Sequence, residues 1–299
     1  MRSLIPLVLV TSIVLGCGGT GGGDTGGGDV PLAAPNPRID GEAGIARYEA
    51  AATFPNGDCV LAGAQGNPGL FAEGEPNETA VGTGGLIARF RTDHTLVWVL
   101  DIPFASFYGV DSLADGSIVA AGIVGGPGSV FGNGEPNETT IPEGAVVARF
   151  ESDGTLIWAR SAGEGAGHRP TAVSAFDDGS FVVSGQADNV SVVFGDGEAN
   201  ETTLTSSEQF GYVLRYGSDG FLTWARQLAS DNFRVAADIA AMPGGDCIVG
   251  GGFTEDMTLG LGETNETTLE NSGTIAEEAY LARYAADGSL VWARRDGNS

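Results

Sequence analysis

The sequence predicts an all-β fold: a small β-propeller of four tandem four-stranded blades, standing either as a closed ring or as an open or partial one. Three observations predict it. A common frame recurs four times, with Trp98, Trp158, Trp224 and Trp292 spaced 60 to 68 residues apart, and a period this long holding several short apolar runs marks a repeated multi-strand unit. Asn-Gly, Asp-Gly or Gly-Gly pairs join the apolar runs, and such pairs supply the positive φ of tight hairpins. The runs between them are apolar with little alternation, which calls for burial on both faces of each sheet. Blades packed between neighbours meet that need.

The elements follow in order within each copy. NGDCVLAG (Asn56 to Gly63), DGSIVAAG (Asp115 to Gly122), DGSFVVSG (Asp178 to Gly185) and GGDCIVGG (Gly244 to Gly251) each open on a turn and run into a strand. LIARF, VVARF, YVLRY and YLARY form the next strand; TDHTLVW, SDGTLIW, SDGFLTW and ADGSLVW form a second turn and the last strand. Two hairpins, hence four strands, make one unit. The units fall at about 44–103, 104–163, 164–229 and 230–295 within a domain of residues 44–299.

The chain has 299 residues, with 39 acidic residues against 14 basic ones, all arginine, for a formal net charge of −25. That field repels nucleic acid and anionic lipid, and it suits a strongly hydrated surface. At this length a large core can form without staples.

The N-terminus gives an address. Met1-Arg2 precedes an apolar run from Leu4 to Leu15, too short for a membrane span and suited to a signal-peptide core in residues 1–16. VLGC (Val14 to Cys17) closes the run and resembles the bacterial lipobox. The resemblance implies cleavage before Cys17, its acylation and stable anchoring to a membrane by several acyl chains. Gly18, rather than Asp, follows the cysteine, which favours the outer membrane. Residues 17–43 then form a tether, flexible over Gly18 to Asp29 and stiffened by prolines from Val30 to Arg38.

DG-turn-linked strands carrying xARYxxDGxLxWAR resemble the SBBP-type β-propeller repeats of bacterial secreted proteins and lipoproteins. The likeness covers about residues 44–295 and implies a fold, not a reaction. DGxLxW is also similar to quinoprotein-type propeller repeats, but the longer spacing and a quinone-binding set are missing.

Each recurring residue has a structural reading. The four tryptophans read as inter-blade core residues, each large enough to explain its recurrence without a ligand. Arg89, Arg149, Arg215 and Arg283 read as partners of internal carboxylates. The GExNET loops are the candidate metal sites: Glu75, Asn77 and Glu78; Glu135, Asn137 and Glu138; Glu198, Asn200 and Glu201; Glu263, Asn265 and Glu266. Calcium needs six to eight oxygens, more than one loop supplies, so the turn reading stands ahead of calcium. Each NET is also a glycosylation acceptor, as is Asn189-Val190-Ser191, though the lipobox points to a bacterial cell.

Catalytic signals are sparse. His94 replaces glycine in the first SDG-type turn, where histidine tolerates the left-handed region. His168 lies in a Gly-rich connection, and no HExxH or GxSxG occurs. The expectation is a lipid-anchored, extracytoplasmic binding or scaffold module with no catalytic residues, no cofactor and a protein or glycan partner. The alternatives are a calcium-binding surface protein and a glycan-active propeller enzyme with carboxylates from different blades converging on one rim. Cys59 and Cys247 share the inward position of Ile118 and Phe181. They read as buried, reduced thiols brought near each other by closure of a four-bladed ring.

Overall fold

A computed structural model describes residues 46–165, 167–188, 191–228, 236–273 and 278–296. Cys17, the signal segment and the tether lie outside them, as do Asn189 and Val190. All regular elements in the described residues are strands. Blade 1 holds β1 (Ala46–Thr53), β2 (Cys59–Gln65), β3 (Gly69–Phe71), β4 (Thr79–Val81), β5 (Gly84–Phe90) and β6 (Leu96–Pro103). Blade 2 holds β7 (Ala105–Ser112), β8 (Ile118–Val124), β9 (Ser129–Phe131), β10 (Thr139–Ile141), β11 (Gly144–Phe150) and β12 (Leu156–Glu164). Blade 3 holds β13 (His168–Ala175), β14 (Phe181–Ala187), β15 (Ser191–Phe194), β16 (Thr202–Thr205), β17 (Phe210–Tyr216) and β18 (Leu222–Leu228). Blade 4 holds β19 (Asp238–Ala241), β20 (Cys247–Phe253), β21 (Met257–Leu259), β22 (Thr267–Leu269), β23 (Glu278–Tyr284) and β24 (Leu290–Asp296).

The main sheet of each blade is antiparallel and four-stranded, ordered β1-β2-β5-β6 in blade 1 and equivalently in the rest. A short two-stranded hairpin, such as β3–β4, interrupts each sheet between its second and third strands. This hairpin is an addition to the four strands expected per unit; its three-residue arms are too short to show a periodicity.

Sheets pack face to face in chain order. β7 lies across β1, β2 and β5, and β13 lies across β7, β8 and β11. Three inter-blade cores result. Val60, Ala62 and Ile87 of blade 1 meet Ile118, Ala120, Ala148 and Phe150 of blade 2. Val119, Ala121 and Val147 of blade 2 meet Phe181, Val183 and Tyr216 of blade 3. Val182 and Val213 of blade 3 meet Cys247, Val249 and Tyr284 of blade 4.

The expected ring closure is not found. The contacts that run from β1 to β7, β7 to β13 and β13 to β19 have no counterpart of similar extent between blade 4 and β1 among the described residues. Exposure agrees. Ile87, Val147 and Val213 are each 0% exposed, whereas their counterpart Leu281 is 52% exposed. Ile248, in the place of buried Val60, Val119 and Val182, is half-buried. Among the described residues the array is therefore open, with no blade packed on the outer sheet face of blade 4.

Openness also changes the expectation for the cysteines. Neither forms a disulfide, and Cys247 is buried, with burial the leading cause pushing its thiol up to about 12. Cys59 is only half-buried, with no described blade packed over its side of the sheet.

Packing inside the stack is uneven in one respect. Phe150 fills a place that Tyr216 and Tyr284 fill in blades 3 and 4, and the hydroxyls of both tyrosines are buried without a hydrogen-bond partner. An orphaned buried hydroxyl costs about 1–3 kcal/mol. Tyr216→Phe is expected to stabilise by about 1 kcal/mol, raising Tm by roughly 2–4 °C for a domain of this size. Thermal melts check this, and an unchanged or lower Tm counts against it.

Candidate functional site

The recurring residues form three groups: a clasp between blades, a clamp within each blade, and the bare face of blade 4. The clasp begins at the second turn of each unit. Trp98 Nε1 and Arg89 Nη1 both donate to the Ser152 carbonyl of the next blade, at 3.0 and 2.7 Å. Trp158 Nε1 and Arg149 Nη1 do the same to Ser218, at 3.3 and 3.1 Å. Trp224 Nε1 and Arg215 Nη1 reach Ala286, at 3.0 and 3.5 Å. Two donors on one carbonyl fix the turn of one blade against the sheet of the blade before it.

Glycine makes the approach feasible. Gly154, Gly220 and Gly288 sit buried under the preceding blade's tryptophan. A Cβ there would fall 3.2 Å from Trp98, 2.9 Å from Trp158 and 2.8 Å from Trp224. All three glycines have φ between 78° and 91°. His94 holds this place in blade 1 at φ 71° and is exposed. The left-handed turn expected for His94 is present. What sequence reasoning missed is why only this copy does without glycine: no tryptophan lies over it.

Trp292, expected to be an inter-blade core residue like the others, differs for the same reason. It is half-buried, as Trp98 and Trp158 also are, but no described blade follows to offer its indole a carbonyl. Trp158 and Trp224, by contrast, face Phe181 and Tyr284 of the following blades, at 5.9 and 6.5 Å between ring centroids.

The arginines pair largely as expected. Arg89 bonds Asp58 at 2.8 Å, Arg149 bonds Asp115 at 2.7 Å and Arg283 bonds Asp246 at 2.6 Å. Arg215 departs from the pattern, bonding the Ser180 hydroxyl at 3.2 Å and the Gly245 carbonyl, with its guanidinium 4.2 Å over the Phe176 ring. In the turns, the Ser180 hydroxyl and then its backbone N–H hold Asp178 below the usual carboxylate range. Ser289 does the same for Asp287.

The GExNET loops are clamps. In every blade the ladder slips by one residue where the last strand begins, so that Leu96 faces Phe90 while Trp98 faces Arg89, with the same bulge in the other three. A bulge takes backbone groups out of the ladder, and the loop meets them. Glu75 accepts from the Leu96 N–H at 3.3 Å while Asn77 donates to its carbonyl at 2.8 Å. Glu135 and Asn137 hold Leu156 at 2.6 and 3.2 Å; Glu198 and Asn200 hold Leu222 at 2.6 and 3.1 Å. Glu263 and Asn265 hold Leu290 in the same way. Glu78, Glu138, Glu201 and Glu266 each accept from the loop glycine four residues before, at 2.7 to 2.8 Å.

Among the described residues no three His, Cys, Asp or Glu side chains gather as a metal site. Each blade already satisfies one oxygen of both glutamates, the first from the N–H of the strand leucine and the second from the loop glycine. Added calcium is expected to leave Tm unchanged; tight sites in calorimetry, with Tm climbing as calcium is added, would assign the loops to the metal.

A shallow cleft of about 290 Å³ lies between blades 2 and 3, lined in part by Arg160 and Glu164 from one and Asp196 and Glu198 from the other. Two of these have structural partners. Glu198 holds Leu222, and Arg160 donates to the Asp219 carbonyl at 3.2 Å while stacking 3.7 Å over Phe221. His168 is buried, and burial pushes its pKa down.

No family model and no curated protein matches the chain. The solved structures similar to the chain include two of low identity. A protein of unknown function from Bacteroides caccae is 12% identical, with a TM-score of 0.39 over 84% of this chain and 82% of that one. The C-terminal WD40 domain of Sif2 is 10% identical, with a TM-score of 0.29 over 87% and 89%. The blades of this chain are defined by its own strand pairing.

Proposed function

We propose that the chain is a lipid-anchored, extracytoplasmic lipoprotein of the SBBP-repeat kind, whose propeller-type domain works as a non-catalytic binding or scaffold module. The observation that carries this reading is the contrast between its surfaces. The recurring polar residues are bonded within and between blades, whereas blade 4 presents an open apolar face with Leu281 at its centre. Such a face suits a protein partner better than a glycan, since apolar sheet surface is what the blades bury against one another. Calcium is not required by this reading, and the charge of −25 keeps nucleic acid away.

The address rests on VLGC and the glycine tether, with the outer membrane favoured by Gly18. Cys17→Ser is expected to move the chain from the membrane fraction to the soluble fraction and to abolish acyl labelling. A variant that fractionates and labels like the wild type contradicts the anchor.

A further inference from the structure

We propose that the free face of blade 4 is a docking surface for a β-blade of another polypeptide whose turn carries glycine, and that His94 bars blade 1 of a second copy from filling it. The inference deepens the binding-module reading and rests on it. Its partner chemistry comes from the three internal interfaces, which show what this kind of face accepts.

Each covered face receives the same elements. Apolar side chains of the next sheet meet the second and fourth residues of the middle strands, as Phe181 and Val183 meet Val119, Ala121 and Val147. A turn carbonyl takes the Trp and Arg donors, and a glycine two residues later lets the indole lie flat on the turn. Blade 4 repeats the receiving half. Ile248 and Leu281 stand where Val119 and Val147 stand, Trp292 where Trp158 stands, and Arg283 where Arg149 stands. Leu281 is 52% exposed where Val147 is 0% exposed.

Blade 1 also carries a face of the presenting kind, on which Cys59, Leu61 and Phe90 are half-buried while Leu86, Ala88 and Leu96 are buried in one cluster with Phe71 and Val81 of the β3–β4 hairpin. Docked with the internal geometry, a second copy would continue the stack. His94 opposes this. It replaces the glycine on which, at each internal interface, an added Cβ would fall 2.8 to 3.2 Å from an indole, so its side chain would occupy the volume of Trp292. A partner blade with glycine there meets no such obstacle.

The test uses full chains carrying Cys17→Ser, so that acyl chains play no part. The probe is the same chain with His94→Gly and Leu281→Asp, which offers a glycine-turn blade and has a spoiled blade 4. Both changes lie at exposed positions, and the first installs the residue of the other three blades. In sedimentation, the chain with only Cys17→Ser is expected to be a monomer alone and to form a 1:1 complex with the probe. A control carrying Leu281→Asp but keeping His94 should bind about tenfold more weakly or worse. No complex with the probe overturns the docking surface. Equal binding of probe and control, or self-association of the chain with His94 in place, overturns the role of His94. Neither outcome bears on the anchor, which the fractionation of Cys17→Ser reads separately.

Discussion

Trp224→Ala is expected to lower stability by about 3–5 kcal/mol, while Trp292→Ala costs about 1 kcal/mol or less. The two residues occupy the same place in the repeat, so composition and local strand propensity cannot separate them. Their surroundings do. Trp224 is 6% exposed, packs in the core between blades 3 and 4, and donates to the Ala286 carbonyl at 3.0 Å. Removing it empties a large buried volume and strips the carbonyl of its indole donor. Trp292 is half-buried on an end face, with no described blade packed over it. Chemical denaturation of the two variants measures the difference. Equal losses would mean that blade 4 is covered as the others are.

Gly288→His should destabilise by about 3 kcal/mol, combining roughly 1–2 kcal/mol for a side chain in the left-handed region with about 1–3 kcal/mol for overpacking. Gly288 has φ 83°, and a Cβ on it would lie 2.8 Å from Cδ2 of Trp224. The imidazole would have to push the indole off the Ala286 turn. The reverse change at the equivalent turn of blade 1, His94→Gly, relieves the same backbone cost without altering any inter-blade contact. It is expected to be neutral or stabilising, by about 1 kcal/mol at most. Paired melts of the two variants check the asymmetry, and a neutral Gly288→His would show that glycine is not needed beneath the indole.

Much of the fold was legible because the chain states it four times. Asp-Gly turns and strands apolar on both faces marked four stacked sheets, and the spacing of the tryptophans marked the units. The short hairpin carrying GExNET was harder, since an arm of three residues such as Gly69–Phe71 has too little length for alternation to register. The clamp formed by Glu75 and Asn77 on Leu96 was invisible for another reason: it depends on a bulge, which is a feature of register rather than of composition. Closure was misjudged because the same frame serves a ring and an open stack equally well. The signal that separates them lay in a single departure, His94 in place of glycine in the first copy. Its meaning required knowing that the glycine of one blade lies beneath the tryptophan of the blade before.

The openness of the stack is tested most directly by hydrogen exchange of the four indole N–H groups, followed as separate signals in nitrogen-15 NMR spectra. Trp98, Trp158 and Trp224 donate to turn carbonyls at 3.0, 3.3 and 3.0 Å and should exchange slowly, through opening of the inter-blade cores. Trp292 should exchange fast, at close to the rate of an exposed indole. Four comparably protected indoles would contradict an open stack, because the fourth could be protected only if something covered the face of blade 4.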